Sequence, residues 1–422
     1  MRFFIQRSYF PKNRNQLLQD ILAGITVALV AIPLAIGFGV TSGMSAATGI
    51  ATAIIAGFVA ALFGGSRFQV SGPTGAMTVV LIPVIHRYGV GAIPTIGIIA
   101  GAILVTMSLL KLGEWIKQVP HFVIEGFTFG IAVVIALQQL PLVLNVKRAN
   151  GERTIPVAFN TLRSAIESGI NSWTIAITLL TLLVKFNTNY ILRIARIKFY
   201  VPASFVALLV ATTFVKIFKI DIPNIAEIPR NVFAWTPPNL TQGLQLIWPA
   251  LMIALLSAIE SLLSARVAEQ MVKQKEPGEF NANRELFGQG LATALASIFG
   301  GQPATGAIAR TAVNVRSRAH TRLASMIHAL TILVVILAIA PLFSQIPAAA
   351  LGGVLIGASI RILNPRKLME TLRTTRKELT VFFVTALFTI TVDLIWGVAV
   401  GIAIHFIVTK FDLRRMRDLN PR

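Results

Sequence analysis

Two short stretches of the chain hold the residues best suited to bind a charged solute, Pro73-Thr74-Gly75-Ala76-Met77 and Ala304-Thr305-Gly306-Ala307-Ile308. Each reads as a helix start in apolar surroundings. A helix that begins in mid-membrane presents unsatisfied backbone N–H groups and the positive end of its dipole, so it attracts an anion. Gly75, Ala76, Gly306 and Ala307 are small enough for a solute to approach that backbone, Thr74 and Thr305 add hydroxyl donors, and Ile308 closes the second motif. Two such ends facing each other make a positive pocket without a buried lysine. Small residues also serve close helix packing in membranes; the repetition of the motif favours binding.

Glu260 is the most informative charge. It lies in ALMIALLSAIESLLSARVAE, where Ser257, Ser261 and Ser264 recur at helical spacing and Glu260 borders the same face. A carboxyl within hydrocarbon must be protonated, paired or beside a wet cavity. The role this suggests is proton coupling, with Ser264 beside it; the alternative is a fixed partner for a buried arginine. Arg310, two turns into the second short helix, reads either as a fixed positive charge behind the pocket or as the first of the basic cluster that continues at Arg316, snorkelling to the interface. Glu125 and Asp393 fall at span ends, while Gln138, Gln139 and Thr391 are expected to serve packing. The five histidines form no HExxH, no cysteine is present, and neither paired intramembrane Asp nor a GxSxG elbow occurs, so no enzyme, metal centre or cofactor is expected.

These residues need a scaffold suited to lipid. With 55% hydrophobic and 13% charged residues over 422 positions, the chain cannot cover its apolar surface as a compact soluble domain. The net charge of +21 is spread as short basic clusters between apolar runs, a pattern that fits membrane orientation and not nucleic-acid binding. Apolar segments of spanning or near-spanning length fall at 20–40, 44–65, 91–111, 119–140, 172–188, 199–217, 243–268, 284–300, 321–342, 345–362, 378–392 and 393–410. The Gly-rich stretches 73–86 and 304–315 are too short to cross ~30 Å of hydrocarbon, and counting them as half-spanning gives fourteen elements. The basic N-terminus resembles a secretory signal, but the run after it is long enough to span and many spans follow.

Charge placement tests the count, because cytoplasmic loops collect Lys and Arg. From a cytoplasmic N-terminus, fourteen elements place inside Arg67, Lys111 and Lys117, then Arg193, Arg196 and Lys198, Lys273 and Lys275, the Arg316–Arg322 cluster, the run 361–377 and the tail. The opposite connections around 41–44, 301–303 and 341–346 carry none. The long connections 143–171 and 218–242 do not discriminate. The chain therefore reads as a multi-pass protein of the inner (plasma) membrane with both termini cytoplasmic.

Each Thr-Gly-Ala motif follows by about forty residues a long span with an unusual interior residue, Pro33 in the first case and Glu260 in the second. Seven elements per half is odd, so the halves insert with opposite topology. The expected fold is an all-α polytopic membrane protein of two inverted repeats: a cytoplasmic segment 1–19, the first repeat 20–217, a connecting loop 218–242, the second repeat 243–411 and a short cytoplasmic tail 412–422. Broken helices at matching positions of inverted halves point to a transporter site near the bilayer midplane.

The motifs AIPLAIGFGVTSG at 31–43, FGGSRFQVSGPTGAMTVVL at 63–81, FVIEGFTFGIAV at 122–133 and SAIESLLSARVAE at 257–269 resemble those of the sulfate permease family, over nearly the whole chain. The resemblance implies a core domain moving against a gate domain, an anion bound between the third and tenth elements, and a homodimer. It carries Thr74, Gly75 and Ala76 onto the third-element site, Gly306, Ala307 and Ile308 onto the tenth-element site, and Glu260 onto the eighth-element acid. Family members usually continue into a cytoplasmic STAS domain, whereas this sequence stops at Arg422, as a short natural form or a truncation. The sodium-coupled bicarbonate members have Asp and Thr where this chain has Glu260 and Ser264, and Thr in place of Ile308. A hard cation needs several oxygen ligands, so the apolar Ile308 disfavours sodium.

The expected function is secondary active transport of a small inorganic anion, sulfate first and bicarbonate next, coupled to protons through Glu260. The alternatives are sodium-coupled bicarbonate transport and, on the same architecture, a nucleobase:cation symporter in which the eighth-element carboxylate binds the base directly. A passive anion channel would need no coupling acid.

Overall fold

The computed structural model describes residues 10–116, 119–151, 153–194, 196, 202–239, 243–272, 280–363, 365–392 and 394–418. Residues 1–9 of the basic N-terminus, the basic residues Lys117, Lys198, Lys273 and Lys275, and Asp393 lie outside the described residues, as do 419–422.

Fourteen helical elements follow one another: α1 Arg14–Thr41, α2 Ala46–Phe63, α3 Gly75–Tyr88, α4 Ile93–Leu109, α5 His121–Leu137, α6 Ser172–Ile194, α7 Ala203–Ile217, α8 Gly243–Met271, α9 Ala282–Ile298, α10 Ile308–Arg316, α11 Leu323–Phe343, α12 Ala348–Leu363, α13 Arg376–Thr391 and α14 Leu394–Asp418. Further helices, among them Thr154–Ser168 and Pro365–Leu372, lie between them. Seven helices among the described residues are individually long and apolar enough to cross a membrane. Leu183, Val334 and Phe383 are exposed on the outer faces of α6, α11 and α13, as suits helices whose surroundings are lipid.

The half-spanning elements are α3 and α10, with 14 and 9 residues. At 1.5 Å per residue these are about 21 and 14 Å long, short of a ~30 Å hydrocarbon core. Both start later than their motifs suggested. Helix α3 begins immediately after Thr74, but α10 begins at Ile308 with Ala307 as its N-cap. The delay arises because β2 (Thr305–Gly306) pairs antiparallel with β1 (Ser71–Gly72), which holds Thr305 and Gly306 extended.

Packing repeats with the symmetry expected of two inverted halves. Helix α1 packs on α11 as α8 packs on α4; α2 packs on α11 as α9 packs on α4; α1 packs on α10 as α8 packs on α3; α5 packs on α13 as α12 packs on α6. In each pair every helix is replaced by its counterpart seven elements along. Two groups result: α1–α4 with α8–α11, and α5–α7 with α12–α14, meeting along α1, α3 and α8. Small residues permit this closeness. A Cβ on Gly101 would stand 2.6 Å from the Gly290 carbonyl oxygen, and one on Gly290 2.7 Å from that of Gly101, at the α4–α9 crossing. The connection after α7 lies against the turn between α11 and α12, where the Ile225 N–H donates to the Ile346 carbonyl at 2.9 Å.

Candidate anion site

The β1–β2 ladder brings the two motifs together, with Gly72 opposite Thr305 and Ser71 opposite Gly306. Thr74 is the N-cap of α3 and its side chain accepts from the Met77 N–H. Its hydroxyl also donates to Glu260 Oε2 at 2.9 Å, and the Thr305 hydroxyl donates to the same oxygen at 2.6 Å. The two hydroxyl oxygens are 3.0 Å apart. Glu260, half-buried on α8, thus closes a triangle of three oxygens between the broken helices. Two hydroxyl protons can make only two of its three hydrogen bonds; a proton on Glu260 would supply the third.

The serine stripe of α8 faces the same segment. Ser257 donates to the Ala304 carbonyl at 3.0 Å, Ser261 accepts from the Gly306 N–H at 2.9 Å, and Ser264 donates to Thr311 at 3.0 Å. Ser264 therefore bonds Thr311 and not Glu260, which separates the two residues read together as a coupling pair. Thr311 in turn accepts from the Val70 N–H at 3.0 Å. The stripe stitches α8 to the strand and first turn of α10.

Arg310 is buried, and its Nη2 donates to the Pro73 carbonyl at 2.7 Å. It turns inward beside the ladder, away from the basic cluster that begins at Arg316, so the snorkelling alternative does not describe it. Its Nη1 has no hydrogen-bond partner. Glu260 is bonded by two threonines, not by an arginine.

The glycines are close-approach positions of an unexpected kind. A Cβ on Gly75 would stand 2.1 Å from Ile135 Cδ1 and 3.2 Å from Phe38, and one on Gly306 2.0 Å from the Gln69 amide nitrogen. In this conformation protein side chains, not open space, lie against both. Ala76 and Ala307 are buried as well, whereas Ile308 is half-buried and Ala309 exposed. The open part of the site is the first turn of α10, where Ala307 provides no side-chain cap.

Behind the ladder stands a network that the sequence did not mark. Buried Glu285, in the first turn of α9, accepts from the Gly65 and Ser66 N–H groups at 2.7 and 2.8 Å and from Gln69 Nε2 at 2.7 Å. Gln289 donates to the same carboxylate and to Ser71. This network holds the segment that delivers β1. A carboxylate in a helix's first turn is ordinary dipole complementation, so nothing in the sequence singled it out. Of the secondary candidates, Glu125 meets His121 at 3.0 Å and accepts from Thr371 at 2.8 Å, Gln139 is buried and accepts from Thr41, and Thr391 donates to the Leu387 carbonyl of its own helix.

Comparison with known proteins gives the family and the fold. The model of the Sulfate permease family matches residues 17–385. YvdB of Bacillus subtilis (strain 168), a proposed sulfate transporter, is 36% identical over 414 residues, covering 96% of this chain and 75% of YvdB. The bicarbonate transporter BicA of Synechocystis (strain PCC 6803) is 32% identical over 417 residues, covering 96% of this chain and 71% of BicA. The solved transmembrane domain of a cyanobacterium bicarbonate transporter BicA superimposes with a TM-score of 0.82 at 29% identity, covering 92% of this chain and 98% of that domain. These relatives are membrane transporters and not enzymes. The chain belongs to the sulfate permease family of anion transporters.

Proposed function

We propose that the protein is a secondary active transporter that carries sulfate together with protons, binding the anion between the N-terminal ends of α3 and α10. The single observation that carries this reading is Glu260 Oε2 bonded to both Thr74 and Thr305 where the broken helices meet. A carboxylate at that point repels an incoming anion; at about 5 Å and an effective dielectric of ~20 two unit charges repel by about 3 kcal/mol. Protonating Glu260 removes that repulsion, so anion and proton enter together. The uncapped first turn of α10 and the hydroxyls of Thr74 and Thr305 supply donors, and Arg310 adds fixed positive charge behind them. Gly75 and Ala76 on one side, and Gly306, Ala307 and Ile308 on the other, shape the space. The protein acts as a homodimer in the inner membrane with both termini cytoplasmic.

The BicA relatives favour a second reading, sodium-coupled bicarbonate transport. Against it stands Ile308, which offers no oxygen to a hard cation at the open turn of α10. Membership in a family of anion transporters sets aside the nucleobase alternative. Uptake of labelled sulfate and bicarbonate into proteoliposomes, with proton and sodium gradients imposed separately, tests the choice. Sulfate uptake driven by an inward proton gradient is expected; sodium-driven bicarbonate uptake would overturn both the substrate and the coupling ion.

A further inference from the structure

A second polar cleft lies away from the ladder. It is lined on one side by Val79 and Ile82 of α3, on another by Leu137 and Gln138 at the end of α5, and is covered by the helix Thr154–Ser168. Its ten lining residues include one charged side chain, Arg148, and no carboxylate. Arg148 is half-buried and makes one hydrogen bond, from Nη2 to the Gly151 carbonyl at 3.1 Å. Among the described residues its other guanidinium N–H donors meet no partner and no carboxylate pairs with it. Burial alone pushes its pKa down from the ordinary value, with no neighbouring charge contributing. Gln138 Oε1 is buried without a partner in the same cleft, and the amide can turn to present its N–H₂ instead. The Thr154 hydroxyl, also lining the cleft, meets no hydrogen-bond partner among the described residues, and the N-cap of its helix, Arg153, makes no side-chain cap bond. Thr161 is different: it donates to the Val157 carbonyl and accepts from the Ala149 N–H, so it braces the wall.

A partly desolvated guanidinium with spare donors, a hydroxyl and a turnable amide converge with no carboxylate among the described lining residues to satisfy them. We propose that Arg148, Thr154 and Gln138 form a second binding position for a small oxyanion, a recruitment site that loads the central one. The position along α3 supports the route. Val79 and Ile82 lie four and seven residues beyond Gly75, about 6 and 10 Å along the same helix from its N-terminal end. At that end Ile135 and Phe38 cover Gly75. An anion held at Arg148 therefore lies against the helix whose N-terminal end meets the oxygen triangle. The recruitment role rests on anion transport through the α3–α10 site; the binding position does not.

The absence of cysteine from the sequence makes the test direct. In the full chain in detergent, Thr154→Cys introduces a single thiol, whose modification rates are read with a sulfonate-bearing and a trimethylammonium-bearing methanethiosulfonate. We expect the anionic reagent to be favoured by about tenfold relative to the same pair on a free thiol. Sulfate or bicarbonate should slow its reaction, and adding Arg148→Ala should remove both the preference and the protection. Protection that survives Gly306→Val, which disables the central site, assigns it to the cleft. Absence of an anionic preference, or protection indifferent to Arg148→Ala, overturns the proposal. In proteoliposomes of the cysteine-free chain, Arg148→Ala should raise KM for the transported anion about tenfold with kcat unchanged, and Arg148→Lys should restore part of the loss. An unchanged KM would sink the recruitment role. Failure of the wild type to transport either anion would instead count against the central reading, and the labelling result stands apart from it.

Discussion

Helices α3 and α10 begin with the same Thr-Gly-Ala core, yet their ends differ in what they leave open. At α3, Thr74 caps its own helix and Gly75 is sealed by Ile135 and Phe38. At α10, Thr305 is drawn into the strand, Ala307 stands where a capping side chain would be, and Ala309 faces open space. A capped helix end has already satisfied one of its orphan donors, and an uncapped one keeps them for a ligand. A symmetric motif thus gives an asymmetric site: α3 supplies structure and a hydroxyl, while α10 supplies the accessible donors. Glu260 bridges the two halves through their threonines.

Several substitutions would break or sharpen that contrast. The largest effect is expected from Gly306→Val, which places a branched side chain where the Gln69 amide already lies 2.0 Å from the Cβ position. Anion binding measured by calorimetry should be abolished, through the ladder and its Glu285 support as much as through the pocket; normal affinity would remove Gly306 from the site. Glu260→Gln should leave sulfate uptake without its dependence on an imposed pH gradient. If the full dependence remains, the proton is carried elsewhere.

Arg310→Ala should weaken sulfate affinity about tenfold, the loss of ~1.4 kcal/mol expected of one nearby charge. Unchanged affinity would mean that its bond to Pro73 is all it contributes. The smallest difference separates the two threonines. Thr74→Ala loses a cap as well as a bond to Glu260, so it should lower thermal stability by about 1 kcal/mol more than Thr305→Ala, read as Tm in detergent. Equal shifts would show that the two ends are equivalent after all.

The architecture was legible in the order of residues: apolar run lengths and the alternation of basic loops point to fourteen elements, because lipid tolerates only backbone that satisfies its own hydrogen bonds. The Thr-Gly-Ala repeat and Glu260 were legible for the same reason, since a chain interruption and a carboxyl are both costly in hydrocarbon and stand out there. Where each side chain of the site points was settled by folding. Ser264 carries the same helical spacing as Ser261, yet one meets Thr311 and the other the Gly306 N–H. Arg310 could have snorkelled but turned inward to Pro73, and Glu285 became the anchor of the β1 segment through partners some 220 residues away. Spacing along a chain fixes the face of a helix, but the partner on that face lies some 45 residues away in the same repeat for the serines and in the other repeat for Arg310 and Glu285, and the two are joined only when the chain has folded.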